Sequence, residues 1–177
     1  LVIGGGYIGL ELGSVYAALG ARVTVVEMLP ALLPGADRDL VAPLAKRLQS
    51  VFHEILLRTK VAEVRMAGAG VEVRFEGPEV KEPVRRFDRV LVAVGRRPNT
   101  AGLGLERTRA GLDAKGFVQV DGRRCTAEPS LWAIGDIAGE PMLAHKATHE
   151  GRVAAETVAG RKRAYEPRAI PAVVFTD

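Results

Sequence analysis

The chain begins inside an apolar run, Leu1 to Ile3, and breaks at once into glycine. From Tyr7 the period changes: Ile8, Leu12, Val15 and Leu19 fall on one face of a helix, and Gly20 follows as its C-terminal stop. Arg22 to Val26 is short, apolar and β-branched, which reads as a buried strand ending at Glu27. Asp37 or Asp39 can cap a second helix that runs to about Val51. Together these elements make a βαβα start. From Glu54 to Val94 the pattern predicts strands: "VAEVRM" and "VEVRFEG" flank "AGAG" as a hairpin, and "RVLVAVG" adds a further buried strand. Gly95 to Leu105, rich in Gly, Pro and Asn, is the best candidate for a domain boundary. Beyond it the pattern predicts an extended "GFVQVD", an apolar strand "SLWAIGD", a helix from about Leu143 to Ala159, and a last apolar segment, "IPAVVF".

Composition sets limits on this picture. With 177 residues, 47% hydrophobic and 26% charged, the chain has the balance of a soluble protein and room for one large domain or two small ones. No apolar stretch approaches the ~20 residues of a membrane span. The first residue is a Leu already inside an apolar run, so neither a signal peptide nor a start codon is visible; the expectation is an internal slice of a longer protein. The single cysteine, Cys125, excludes an intrachain disulfide and a Cys-x-x-Cys pair, which fits a cytoplasmic setting, and it reads as a packing residue. The net charge of +4 could suit an anionic partner. However, basic residues interleave with acids, as in "VKEPVRRFDR", and lack the aromatic platforms of nucleic-acid binders. DNA and RNA are discounted.

The glycines after the first strand carry chemistry. Gly4-x-Gly6-x-x-Gly9 puts one glycine at the strand-to-helix turn, one where backbone approaches a pyrophosphate, and one where helix and strand pack closely. The helix N-terminus offers N–H groups and a partial positive charge to that phosphate. The second strand ends in Glu27, at the interval after the first glycine where a carboxylate receives the adenosine ribose hydroxyls. A 2′-phosphate there would be repelled, and no base follows in Met28, Leu29 or Pro30, so NAD is expected over NADP. In the second half, "LWAIGD" reads as a buried strand whose Asp136 faces a hydroxylated ligand, followed by a helix whose first N–H groups could meet an electron-rich carbonyl.

The motifs "GGGYIGLE", "VTVVE", "LLPGADRDL", "VAVGRRPNT", "WAIGDIAG", "MLAHKATHEG" and "IPAVVFTD" occur in one order along nearly the whole chain. The chain resembles the dihydrolipoamide dehydrogenase branch of the pyridine nucleotide-disulfide oxidoreductases. That resemblance implies an α/β architecture, with a Rossmann-like NAD-binding domain inserted in an FAD-binding domain. On this map residues 1–103 form the NAD-binding domain, 104–168 the C-terminal part of the FAD-binding domain, and 169–177 the start of a dimerisation domain. Gly4, Gly5, Gly6, Tyr7, Ile8 and Gly9 would hold the NAD pyrophosphate, Glu27 the ribose, Glu11 the neighbourhood of nicotinamide and flavin, Val61 the adenine, and Gly95 a further NAD contact. Asp136 would bind the FAD ribityl chain, and Met142, Leu143, Ala144 and His145 would line the flavin. The implied reaction passes electrons from dihydrolipoamide through a Cys-x4-Cys disulfide and FAD to NAD, in a homodimer serving lipoyl-bearing acyltransferase subunits of 2-oxoacid dehydrogenase complexes. This chain holds neither the cysteine pair nor the family's base-bearing segment, so no catalytic residue is expected in it. His145 and His149 stand four apart, as a metal pair can, but no third ligand accompanies them, and a flavin-packing His145 with a solvated His149 is the plainer reading. Two alternatives stay open: another flavin-dependent disulfide or metal reductase of the family, or a dinucleotide-binding module without redox chemistry.

Overall fold

The structure, a computed structural model, describes residues 1–176. It divides into two compact units, Leu1–Gly95 together with the segment from Val173, and Arg96–Ala172.

In the first unit, β1 (Val2–Ile3), β2 (Thr24–Val26), β3 (Glu54–Leu56) and β7 (Leu91–Val92) form a parallel sheet in the order β3-β2-β1-β7. Helices α1 (Tyr7–Ala18) and α2 (Arg38–Val51) make the crossovers that parallel pairing requires. Val2, Leu10, Val25, Leu48 and Phe52 pack into one buried cluster on this sheet. A three-stranded antiparallel sheet, β4 (Lys60–Ala67), β5 (Gly70–Glu76) and β6 (Val84–Phe87), buries Val73 and Phe75 against Val26 in a second cluster. The hairpin expected around "AGAG" is β4 and β5, with Ala67 opposite Gly70.

Three expectations change. The apolar stripe of α1 is not its buried face: Leu12, Val15 and Leu19 are exposed, while Gly9, Leu10 and Gly13 are buried. Glycines let the helix axis approach the core, and a Cβ at Gly13 would already press the Phe52 ring at 3.2 Å. Strand β7 is short and lies at the sheet edge, so Val92 and Val94 are exposed rather than buried. Asp37 occupies the cap position of α2, but its side chain makes no capping hydrogen bond.

The second unit holds α3 (Ala144–Val158), with Leu143 at its cap position, over a largely irregular base. Phe117, Val118, Ala133, Met142, Val153 and Ala154 are buried. Neither "GFVQVD" nor "SLWAIGD" forms a strand: they make only single bridges, Leu112 with Val118 and Cys125 with Trp132. A strand needs a neighbour bonded along its length. Among the described residues these segments have none. Gly135–Ile137 is instead a single 3₁₀ turn. No helix among the described residues is long and apolar enough to cross a membrane.

Candidate functional site

The turn between β1 and α1 is built by close approach. Gly4, with φ of +110°, lies where a Cβ would stand 2.3 Å from the Ala93 carbonyl oxygen. At Gly9 a Cβ would stand 2.1 Å from the Gly4 oxygen. Gly6 is the opposite case: it precedes α1 in extended conformation, and nothing lies within 4 Å of the Cβ it lacks. No side chain caps the helix there. The turn therefore presents an uncapped helix N-terminus beneath open space of the kind an anionic phosphate fills.

Glu27 borders this turn. Its side chain is 9% exposed; one carboxylate oxygen accepts the Gly5 N–H at 2.7 Å and the other the Leu29 N–H at 2.8 Å. It is thus no freely solvated strand-end acid: it fastens the second residue of the glycine turn to the end of β2. Each oxygen keeps capacity for a further donor. The Thr59 N–H donates to the Glu27 carbonyl at 3.0 Å and the Arg58 N–H to the Leu29 carbonyl at 3.1 Å, which sets the chain leading to Val61 beside the same strand end. Val61 is the second residue of β4, opposite Phe75. The Ala93 N–H bonds the Ile3 carbonyl at 2.7 Å, so Gly95 follows two residues after the carbonyl that crowds Gly4. Tyr7, Ile8 and Glu11 stand in the first turns of α1, where the Glu11 carboxylate accepts the Phe175 N–H at 2.8 Å.

Asp136, Met142, Leu143, Ala144 and His145 belong to the second unit. Asp136 sits in the turn before α3, half exposed, with the Arg96 guanidinium 3.0 Å from its carboxylate. Arg96 also donates to the Met142 carbonyl. Met142 is buried, Leu143 half-buried, and Ala144 and His145 exposed. The His145 ring nitrogen lies 2.9 Å from the Pro171 carbonyl, whereas the His149 ring meets the edge of Tyr165. The two imidazoles face different partners.

Residues 1–151 match the model of one protein family, pyridine nucleotide-disulphide oxidoreductase. The chain belongs to this family. It is 44% identical to a dihydrolipoyl dehydrogenase of Vibrio cholerae over 177 residues, and 47% identical to one of Pseudomonas aeruginosa over 178 residues. In both comparisons the whole chain is covered, and it spans 37% of the relative's length. Among solved structures it is similar to LpdA from Mycobacterium tuberculosis, with a TM-score of 0.85 and 32% identity over 99% of this chain and 38% of that one. It is also similar to the HOCl-induced flavoprotein disulfide reductase RclA from Escherichia coli, with a TM-score of 0.81 and 30% identity over 93% of this chain and 37% of that one.

Three charged residues of this chain escape a reading of its sequence. Arg96 is one, visible only as part of "GRRPN". The others are Lys146 and Glu150, both buried in α3, with Arg124 paired to Glu150 at 3.0 Å and its guanidinium 4.7 Å over the Tyr165 ring. Their one sequence signal is a Lys and a Glu four apart beside apolar positions, which ordinarily marks a solvated helix face. Desolvation and the negative charge of Glu150 push the Tyr165 phenol up, against the opposing pull of Arg124. A phenol whose folded pKa is raised adds stability below its unfolded pKa of about 10 that is lost as pH climbs through the folded value. Tyr165→Phe should therefore flatten the alkaline loss of stability seen in wild type. Denaturant melts across that range check it, and equal slopes for the two proteins would contradict it.

Proposed function

We propose that this chain supplies the NAD-binding half-site and part of the flavin site of a cytoplasmic flavoprotein that oxidises dihydrolipoamide and reduces NAD. The observation that carries the reading is Glu27, its buried carboxylate holding the Gly5 N–H beside the open space over Gly6. The residues fit the group. The pyrophosphate would be held by the N–H groups of Gly6 to Gly9, where the open space at Gly6 leaves it room. The ribose hydroxyls would donate to the Glu27 oxygens, and Val61 would border the adenine. Glu11 and Gly95 line the path toward the nicotinamide.

For FAD the fit is partial, as the family implies for this stretch. Asp136 is half exposed and would accept from ribityl hydroxyls, and the uncapped N-terminus of α3 would offer the N–H groups of Ala144 and His145 to the flavin carbonyl, with Met142 and Leu143 lining it. FAD, when bound, relays two electrons between a dithiol and the nicotinamide. The dithiol is not in this chain, whose lone cysteine is Cys125. The domain map of 1–103, 104–168 and 169–177, the homodimer, and the lipoyl-bearing acyltransferase partners follow from the same family reading.

The test uses full-length protein. It should purify yellow, take up FAD, and reduce NAD with dihydrolipoamide as donor. This chain alone should not catalyse that reaction. A colourless protein that gains no visible absorbance with added FAD overturns the flavin assignment, and turnover only with another dithiol donor overturns the substrate.

A further inference from the structure

The most deeply buried charges in the second unit bond the backbone on either side of Asp136. Glu150 is fully buried and Lys146 nearly so, one helical turn apart on α3. The Glu150 carboxylate accepts the Gly135 N–H at 2.7 Å, the Arg124 guanidinium at 3.0 Å, and the Lys146 ammonium at 3.1 and 3.2 Å. The Lys146 ammonium donates in turn to the carbonyls of Gly135, at 3.2 Å, and Gly139, at 2.9 Å. One ammonium thus ties both ends of the five-residue loop that carries Asp136. One carboxylate holds the first end a second time. The loop backbone is pressed on the helix as well, since a Cβ at Gly135 would stand 3.1 Å from the Ala147 methyl.

Such an arrangement is a poor source of stability, because desolvating an ion pair offsets most of its attraction and apolar residues of the same size do as well. What an apolar pair could not do is satisfy the Gly135 N–H and the two loop carbonyls. Those bonds fix loop geometry. We propose that Lys146 and Glu150 are positioning residues: they clasp the Gly135–Gly139 loop to α3 and so set the direction in which Asp136 presents its carboxylate to the ribityl chain. The proposal rests on the reading of Asp136 as the ribityl acceptor, and deepens it.

The clasp makes a demand on the unmodified protein. The Gly135 amide, held by a buried carboxylate, should exchange its hydrogen as slowly as the core amides of α3, although it lies in a short turn. Exchange at the rate of an exposed loop overturns the clasp. Lys146→Met alone takes one of two cations from the buried Glu150 carboxylate, which keeps Arg124, and so leaves half the clasp in place; the decisive variant replaces the pair, Lys146→Met with Glu150→Leu, which keeps the packing volume. In full-length protein this variant leaves Arg124 and the Gly135 N–H without their acceptor and should melt below wild type, so the clasp is read against the α3 core amides of the same variant, relative to which Gly135 to Gly139 should exchange at least tenfold faster than in wild type. FAD affinity, read by flavin fluorescence on the apoprotein, should fall on the order of tenfold, as for one misaligned charge-assisted hydrogen bond. The visible circular dichroism of the bound flavin should change with it.

Asp136→Ala separates the two readings. If the clasp acts through Asp136, the paired substitution should cost little further FAD affinity once Asp136 is absent. Losses that simply add show a general effect on the fold and overturn the proposal. If Asp136→Ala binds FAD as wild type does, the ribityl assignment fails on its own, while the exchange of Gly135 still judges the clasp.

Discussion

Gly9→Ala should unfold the first unit under conditions where Gly6→Ala leaves it intact. The added methyl at Gly9 would lie 2.1 Å from the Gly4 oxygen and 3.2 Å from Val2. Neither can yield, because Gly4 is held by its N–H bond to the Val26 carbonyl at 2.8 Å and by the Ala93 carbonyl packed against it. Overpacking against fixed backbone costs about 3 kcal/mol or more, which for a unit of this size lowers the melting temperature by roughly 10–20 °C. Gly6, at φ −78° and ψ 176°, is extended backbone that alanine adopts freely, with nothing within 4 Å of the new methyl. Its stability should stay within about 0.5 kcal/mol of wild type. NAD affinity should nevertheless drop by about tenfold or more, since the methyl takes the space that the proposed site leaves to the pyrophosphate. Circular dichroism melts and calorimetric titration with NAD separate the two effects. A Gly6→Ala protein that binds NAD normally would place the phosphate elsewhere, and a Gly9→Ala protein as stable as wild type would mean that the turn is not closed as described.

This contrast also shows why some of the structure is legible in the sequence and some is not. The glycine turn is a short-range pattern whose spacing follows from strand and helix geometry, so Gly4, Gly6 and Gly9 announce it. The buried face of α1 does not announce itself, because glycine carries no hydrophobic signal: Gly9 and Gly13 face the core, while Leu12, Val15 and Leu19, which set the apolar period, are exposed. Strand β6, "VRRF", falls inside the stretch expected to form strands but is not singled out by its pattern, because its Arg85 pairs with Glu54 at 2.6 Å and lies over the Phe87 ring. Residues Leu131 to Ile134 have a strand's composition, but their pairing stops at a single bridge between Trp132 and Cys125. Lys146 and Glu150 are the hardest case. Charge in a sequence signals water, and only the three-dimensional placement of the Gly135 and Gly139 backbone explains why these two are buried.

Glu27→Ala should weaken NAD binding on the order of 10- to 100-fold, the worth of a charge-assisted hydrogen bond. The structure makes this variant more than a ligand deletion. Glu27 also accepts the buried Gly5 N–H and the Leu29 N–H, so its removal strands a donor in the glycine turn at a cost of ~1–3 kcal/mol. A loosened turn alone would weaken binding of any dinucleotide, with or without contact between Glu27 and the ribose. NADP resolves the ambiguity, because its pyrophosphate meets the same turn while its 2′-phosphate meets the carboxylate. If Glu27 contacts the ribose, its removal costs NAD a hydrogen bond and relieves NADP of a repulsion, so the ratio of the two affinities should move toward NADP. If Glu27 only holds the turn, both affinities should fall by the same factor. Parallel titrations of wild type and variant with the two nucleotides, alongside melts that report the turn's share of stability, decide it. An unchanged ratio would reduce Glu27 to a brace for Gly5 and overturn its proposed role in selecting NAD.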